Sequence, residues 1–306
     1  MVIDDGWQCE HDGPYNGGPW HAGNGKFPDM PGLAARMRGE GTLPGIWCRP
    51  LLTKLPVPSS WLLPNSRFAA SDRGRYLDPS VPEALQLVAD DIARFRAWGY
   101  DLVKYDFTTY DILGRWGFQM GGQLTNGGWR FADGARTTAE IIAALYRTIR
   151  EAAGPMMLIG CNTVGHLAAG HVELQRTGDD TSGRVWERTR KYGVNTLAFR
   201  MPQHGAFFAV DADCVGLTRD IPWRHNAQWL DALAGSGTPL FVSAARDAVG
   251  AEQERALREA FRIASRPQSA SEPLDWLDTT CPRLWRCGEE TRRYDWTGAD
   301  GIGAFE

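Results

Sequence analysis

The residues of this sequence that could do chemistry share one position: each directly follows a short apolar run. Asp4 and Asp5 follow Val2-Ile3, and Arg49 follows the run that ends at Cys48. Lys104 and Asp106 close the run from Asp101, Cys161 and Asn162 close the run from Met156, and Arg176, Asp179 and Asp180 follow the run from Val172. His204, Asp211 and Asp213 come further along. Carboxylates, Lys and Arg gathered in this way are costly to bury unless they pair with one another or meet a ligand. Lys104 lies two residues before Asp106, and so on the same side of an extended chain, where its ammonium would keep Asp106 ionised. Asp180 sits beside Asp179, a like charge that would raise its pKa. One carboxyl held ionised and another held protonated is the pairing that nucleophilic and general-acid work require.

The elements that must position these groups follow from the hydrophobic pattern. Short apolar runs alternate with amphipathic stretches, which predicts parallel strands joined by crossover helices. Strands are expected at Val2-Ile3, Leu43 to Cys48, Asp101 to Asp106, Met156 to Cys161, Val172 to Arg176, Asn195 to Arg200 and Pro239 to Ser243. Helices are expected over Pro82 to Trp98, Thr138 to Ala153 and Ala251 to Ser265, the last burying Leu257 and Phe261. Two stretches rich in glycine and aromatics, Trp7 to Pro31 and Tyr110 to Asp133, are expected as long loops at strand carboxyl ends. The fold class predicted is α/β, a TIM-type (β/α)8 barrel lacking its first strand, because seven strands are counted and the chain opens inside one. Residues 1–266 form the barrel. Residues 267–306 begin an antiparallel β extension, with strand-like pieces at Pro282 to Cys287 and Thr291 to Trp296.

Bulk properties narrow the function classes. The chain has 306 residues, enough for one barrel with an appendage. A formal net charge of -4 without a long basic run argues against nucleic acid as a partner. No apolar run reaches 18 residues, so no membrane span is expected. The start lacks a basic segment followed by an apolar one, which favours the cytoplasm over export. Six Cys are scattered with no CxxC pair and are expected as reduced thiols. Asp211, Asp213 and Cys214 match no zinc or EF-hand spacing, and neither metal nor cofactor is expected. The 13 Trp include some that must fill a core, while others could stack on sugar rings.

The strings Val2-Ile3-Asp4-Asp5-Gly6-Trp7, Lys104-Tyr105-Asp106 and Arg176-Thr177-Gly178-Asp179-Asp180 resemble the clan of retaining α-galactosidases and α-N-acetylgalactosaminidases, over roughly residues 2–265. The resemblance implies a nucleophile at Asp106, an acid/base at Asp180, and sugar hydroxyls bound by Asp4 and Asp5. It implies hydrolysis through a covalent glycosyl-aspartate, for which the two carboxyls must stand about 5–5.5 Å apart across the scissile bond. Lys104, Arg49, Cys161, Asn162, Arg176, Asp179 and His204 would complete the substrate contacts, with Trp7 and Trp47 offering apolar faces. An oligosaccharide or glycoconjugate is the expected partner. Relative to the family, the usual first barrel strand is absent and the C-terminal antiparallel domain is short; an open sheet edge would favour pairing with a second copy. Alternatives stay open. Asp179 could be the acid, although the Arg-plus-four spacing favours Asp180. Asp4 or Asp5 could form a turn or cap, and Lys104 with Asp106 a plain ion pair. A non-catalytic sugar-binding barrel, or a metal-dependent isomerase or lyase using Asp4, Asp5, Asp106 and Asp180, are the rival functions.

Overall fold

A computed structural model of the chain describes residues 1–67, 74–117, 120, 128–181 and 183–297. Part of the loop expected over Tyr110 to Asp133, and the end of the tail, lie outside the described residues. The chain divides into two compact units, residues 1–173 and 174–306, whereas the boundary read from the sequence falls at 266.

The first unit runs β1 (Val2–Ile3), α1 (Met30–Gly39), β2 (Gly45–Cys48), α2 (Pro82–Ala97), β3 (Leu102–Tyr105), α3 (Thr108–Leu113), α4 (Thr138–Ala153), β4 (Met157–Gly160) and α5 (Gly165–Ala168). Its four strands pair in parallel in chain order, with Ile3 opposite Ile46, Ile46 opposite Val103 and Tyr105 opposite Gly160. All four residues of β2 are buried, as expected of a parallel strand covered on both faces. On β3 the side chains alternate: Val103 and Tyr105 are buried, and the Tyr105 ring meets Tyr146 of α4 at 6.0 Å. Lys104 therefore projects from the opposite face.

The helices follow local rules. Pro82 opens α2 where its missing N–H costs nothing, and Ala84, Val88, Ile92 and Phe95 turn inward. A capping box of Thr137 and Glu140 starts α4, whose Ile141, Leu145 and Ile149 are buried at three-four spacing. At its far end, Arg150 pairs with Glu173 at 2.8 Å, and Glu173 accepts the Leu158 N–H at 2.7 Å, tying α4 to the start of β4.

The second unit runs β5 (Leu174–Arg176), α6 (Trp186–Arg188), a π-helical turn (Thr189–Val194), α7 (Asn195–Arg200), β6 (Ala209–Asp211), β7 (Cys214–Leu217), α8 (Trp223–Ala234), β8 (Phe241–Ala244), α9 (Ala251–Ala264), β9 (Glu272–Pro273), β10 (Leu284–Cys287) and β11 (Glu290–Arg293). β5 pairs in parallel with β6, and β7 with β8. β6 and β7 are two halves of one path, broken at Ala212 and Asp213, where Asp213 takes φ +69°. β9, β10 and β11 form the expected antiparallel element. Its Trp285 shares a core with Trp229 of α8, Trp186 and Trp296. No helix among the described residues is long and apolar enough to cross a membrane.

Three expectations are corrected. The segment Asn195 to Arg200 is a helix: Val194, Leu197, Ala198 and Met201 are buried at helical spacing, while Phe199 is 41% exposed. The strand belongs to residues 209–217, where two aspartates, Asp211 and Asp213, interrupt the apolar run and give it the look of a loop. The stretch after Tyr110 begins inside a helix, α3, with Ile112 and Leu113 buried. Finally, α9 buries Ala260 with Leu257 packed alongside, but leaves Phe261 49% exposed.

Two outcomes follow. Leu145→Ala should lower the unfolding free energy by about 2–5 kcal/mol, because it opens a cavity in a fully buried site, whereas Phe261→Ala should change it by about 0.5 kcal/mol or less. Urea unfolding of both variants measures the contrast. His225, 5% exposed, is stacked on Trp186 at 4.7 Å, and neither ring nitrogen has a hydrogen-bond partner among the described residues. Burial, helped by the charge of Arg224, holds its pKa below the ordinary 6.5. The unfolded chain takes up a proton here that the folded chain resists, so stability is full above about pH 6.5 and falls as the pH drops below it. His225→Phe should flatten that acid limb in urea midpoints compared at pH 7.5 and 5.5; an unchanged slope would assign the acid sensitivity to other groups.

Candidate functional site

In the first unit, Asp106 follows the last residue of β3, and its N–H donates to the Cys48 carbonyl at 2.9 Å, which continues the ladder with β2 by one step. Its carboxylate is held twice. Oδ1 accepts the N–H of Phe107 at 2.6 Å, and Oδ2 accepts the indole N–H of Trp47 at 3.2 Å. Phe107 has φ +62° and ψ 6°, a left-handed conformation that costs a bulky residue roughly 1–2 kcal/mol. β1, two strands over, contributes the Asp pair: Asp4 Oδ2 meets Lys104 Nζ at 2.7 Å, with Lys104 mostly buried and Asp4 exposed. Asp5 is exposed as well, and its Oδ1 accepts the Gln8 amide at 2.9 Å, which fixes the turn after β1.

Arg49, after β2, is not a surface donor. Its side chain is 8% exposed and bound to the fully buried Asp111 of α3, with Nη2 at 2.6 Å and Nε at 3.1 Å from both oxygens. Nη1 donates to Asn16 at 2.6 Å, and the guanidinium lies 4.2 Å from the centre of the Phe107 ring. Burial works against its charge, but Asp111 outweighs burial and raises its pKa. Trp7 is likewise fully buried. It packs against Trp20, Phe95 and Trp98, and its indole N–H donates to the Trp47 carbonyl, so it has no face to offer a ring. Trp47 is 1% exposed and reaches the candidate site only through its N–H to Asp106. Asn162, at φ +48° after β4, anchors α3: its side-chain oxygen accepts the Tyr110 N–H at 3.0 Å and its carbonyl the Thr109 N–H at 2.8 Å. Cys161 is 6% exposed.

The second unit holds the other carboxyl candidate. Arg176 ends β5 and is bound by three carboxylates: Asp213 at 2.6 Å, Asp180 at 3.1 Å and Asp211 at 3.3 Å. Asp211 and Asp213 are nearly buried, while the Asp180 side chain is 69% exposed. Asp179 turns instead to Arg188 at 3.0 Å and accepts the Asp180 N–H at 2.7 Å. Gly178 is required in this turn, since a Cβ there would lie 2.1 Å from the Tyr192 carbonyl of the π-helical turn. Asp213 also accepts the N–H of Thr181 at 2.7 Å, so the segment that carries Asp180 is fixed on both sides. Burial and the neighbouring charge of Asp213 push the Cys214 thiol up to about 12, which keeps it protonated at neutral pH. The His204 ring accepts the Val210 N–H at 3.1 Å through Nδ1, closing its own loop.

Sequence reasoning missed Asp111 and Asn16, and it named Asp211 and Asp213 without their pairing to Arg176. A signal existed for Asp111: it lies among apolar residues that a helix buries, and a buried carboxylate demands a cation. For Asp211 and Asp213 the signal was their spacing of two on a strand that was read as a loop.

No family model matches the sequence, and no curated protein matches it. Solved structures do. An α-galactosidase from Thermus thermophilus in complex with p-nitrophenyl α-D-galactopyranoside aligns with a TM-score of 0.66 at 21% identity, over 96% of this chain and 59% of its own. An isomalto-dextranase from Arthrobacter globiformis T6 complexed with panose gives 0.65 at 15% identity, over 93% and 53%. A GH27 β-L-arabinopyranosidase variant from Geobacillus stearothermophilus in complex with arabinose gives 0.63 at 13% identity, over 94% and 73%. The chain thus spans about three fifths of the length of the first of these enzymes. Its fold is theirs: the α/β barrel class with a C-terminal β element, as the sequence pattern predicts.

Removing Arg176 would leave Asp211 and Asp213 buried without a counter-charge. Arg176→Ala should therefore cost about 3–5 kcal/mol of stability, read as a fall in the urea midpoint. A loss under 1 kcal/mol would mean that the two carboxylates are held chiefly by backbone N–H groups and water.

Proposed function

We propose that the chain is a retaining glycoside hydrolase that releases terminal α-galactosyl or related sugars, with Asp106 as nucleophile and Asp180 as general acid and base. The observation that carries this is the fixed carboxylate of Asp106, oriented by the Phe107 N–H and the Trp47 indole at the end of a parallel strand. A carboxylate held in this way loses little entropy when it attacks, which is where positioning lowers a barrier. The fold shared with an α-galactosidase that holds an aryl α-galactoside supports the same reading.

The chemistry divides between the carboxyls. Asp106 attacks the anomeric carbon while Asp180 gives its proton to the departing oxygen, and a covalent glycosyl-aspartate forms. Asp180, now ionised, takes a proton from water as the water attacks the same carbon, so the configuration is retained. Arg176 draws on the Asp180 carboxylate from below and steadies it when it is charged. Asp4 and Asp5, both exposed, are suited to accept hydrogen bonds from sugar hydroxyls, with Lys104 holding Asp4 in place. Retention requires the two carboxyls to come within about 5–5.5 Å of each other. An oligosaccharide is the natural partner for such a site.

A second reading keeps this chemistry and changes the sugar. The isomalto-dextranase and the arabinopyranosidase share the fold nearly as well as the α-galactosidase. Glycone identity then rests on loops, parts of which lie outside the described residues.

The test is turnover of p-nitrophenyl α-galactopyranoside by wild type, Asp106→Ala and Asp180→Ala, each checked for folding. Asp106→Ala should lose about 10⁴-fold or more in kcat. Asp180→Ala should lose about 10²- to 10⁴-fold, with partial rescue by azide as a small nucleophile. Proton NMR of the first sugar released should show the α-anomer. Folded Asp106→Ala as active as wild type would remove Asp106 from the mechanism. Turnover of an aryl glucoside or arabinoside but not of the galactoside would favour the second reading.

A further inference from the structure

The buried Arg49–Asp111 pair is an expensive feature with no role in the chemistry just described. Asp111 is fully buried, Arg49 nearly so, and three hydrogen bonds join them. A pair of this kind is weak evidence for stability, because apolar residues of similar volume often do as well. Its surroundings indicate another use. The Arg49 guanidinium lies over the Phe107 ring at 4.2 Å, and Tyr76 and Tyr110 flank the same cation at 5.6 and 5.8 Å. The Asp111 N–H donates to the Phe107 carbonyl at 2.8 Å. The last is the first backbone hydrogen bond of α3 and is independent of the Asp111 side chain. What the ion pair adds is the guanidinium that Asp111 fixes over the ring of Phe107, which stands in a left-handed conformation that an aromatic residue does not adopt by preference. Its remaining polar group, the N–H, is the one that fixes Oδ1 of Asp106.

We infer that the Arg49–Asp111 pair is a positioning device for Asp106: it locks Phe107 in the left-handed turn so that the Phe107 N–H sets the rotation of the Asp106 carboxylate. The value of that lock for catalysis rests on Asp106 being the nucleophile, while the mechanical coupling itself does not. Arg49 reaches the pair from the end of β2 and Asp111 from α3, so the ion pair also fixes the helix that follows Asp106 against the neighbouring strand. Asn16 binds Arg49 from outside through Nη1, and Asn162 holds the first turn of α3 through the Tyr110 N–H. Neither residue touches the reacting atoms in this account; both act through Phe107.

The experiment uses the full chain in two forms. Asp111→Asn keeps the shape and removes the charge. The double variant Arg49→Met with Asp111→Leu replaces the pair by apolar side chains, retains packing, and removes the cation from the Phe107 ring. Crystal structures of both report the φ of Phe107 and the rotation of the Asp106 carboxylate. Kinetics on p-nitrophenyl α-galactopyranoside report kcat and KM separately. The expected result is that Phe107 leaves the left-handed region, the Phe107 N–H to Asp106 contact is lost, and kcat falls on the order of 10- to 100-fold with KM changed by less than about threefold, as a misplaced reacting group predicts. In the double variant this fall should occur with the melting temperature close to that of wild type, a separation that a merely structural pair would not give. Phe107 and Asp106 unmoved in both structures, or a double variant with wild-type kcat, would overturn the inference. If wild type and Asp106→Ala turn over the substrate equally, the nucleophile assignment fails by itself, and the Phe107 conformation in the variants still decides whether the pair is its lock.

Discussion

Carboxylates at strand ends are costly to hold in a fold, and within each unit most of them are answered by a cation fixed close by. Lys104 stands against Asp4, Arg49 against Asp111, Arg188 against Asp179, and Arg176 against Asp180, Asp211 and Asp213. Parallel strands make this arrangement unavoidable, because every strand in such a sheet delivers its last residues to the same edge. The cations decide which carboxylates are structural. Asp111, Asp211 and Asp213 are buried on their arginines, whereas Asp4 and Asp180 keep most of their side chains in solvent with one cation behind them.

The same division explains the two kinds of arginine at the strand ends. Arg176 ends a β-strand and Arg49 follows one, and both looked like donors to a ligand. Each is instead consumed by buried aspartates, and each transmits its position to a carboxylate nearer the surface. Arg176 does so directly, through one of its own N–H groups on Asp180. Arg49 does so at one remove, through Phe107. A planar fork with several fixed donors suits this work better than a lysine, which serves where a single contact is enough, as at Asp4.

Aromatic packing sets the other half of the frame in the first unit. Trp7, Trp20, Trp47 and Phe95 are all buried to within 2%. Their cluster ties the segment after β1 to β2 and α2, and its one polar output toward Asp106 is the Trp47 indole N–H. The abundance of Trp in the sequence thus serves packing at Trp7, where a sugar face had been expected, and orientation at Trp47.

The sequence by itself determined the strand–helix alternation, six of the seven expected barrel strands near their observed places, the helices at 82–97, 138–153 and 251–264, and the positions of Asp4, Asp106 and Asp180 at strand ends. These were legible because they depend on local periodicity and on polar residues breaking apolar runs, both of which act over a few neighbours. Tertiary structure decided the rest. Residues 195–200 became a helix, and 209–217 a strand despite its aspartates, because Arg176 neutralises Asp211 and Asp213 from 35 positions or more away. Trp7 and Arg49 went inward for the same reason: their partners, Trp98 and Asp111, are distant in sequence and adjacent only in the folded chain. Whether a charged or aromatic side chain is bound by the protein or left for a ligand depends on what the fold brings beside it, and no pattern within a few residues carries that information.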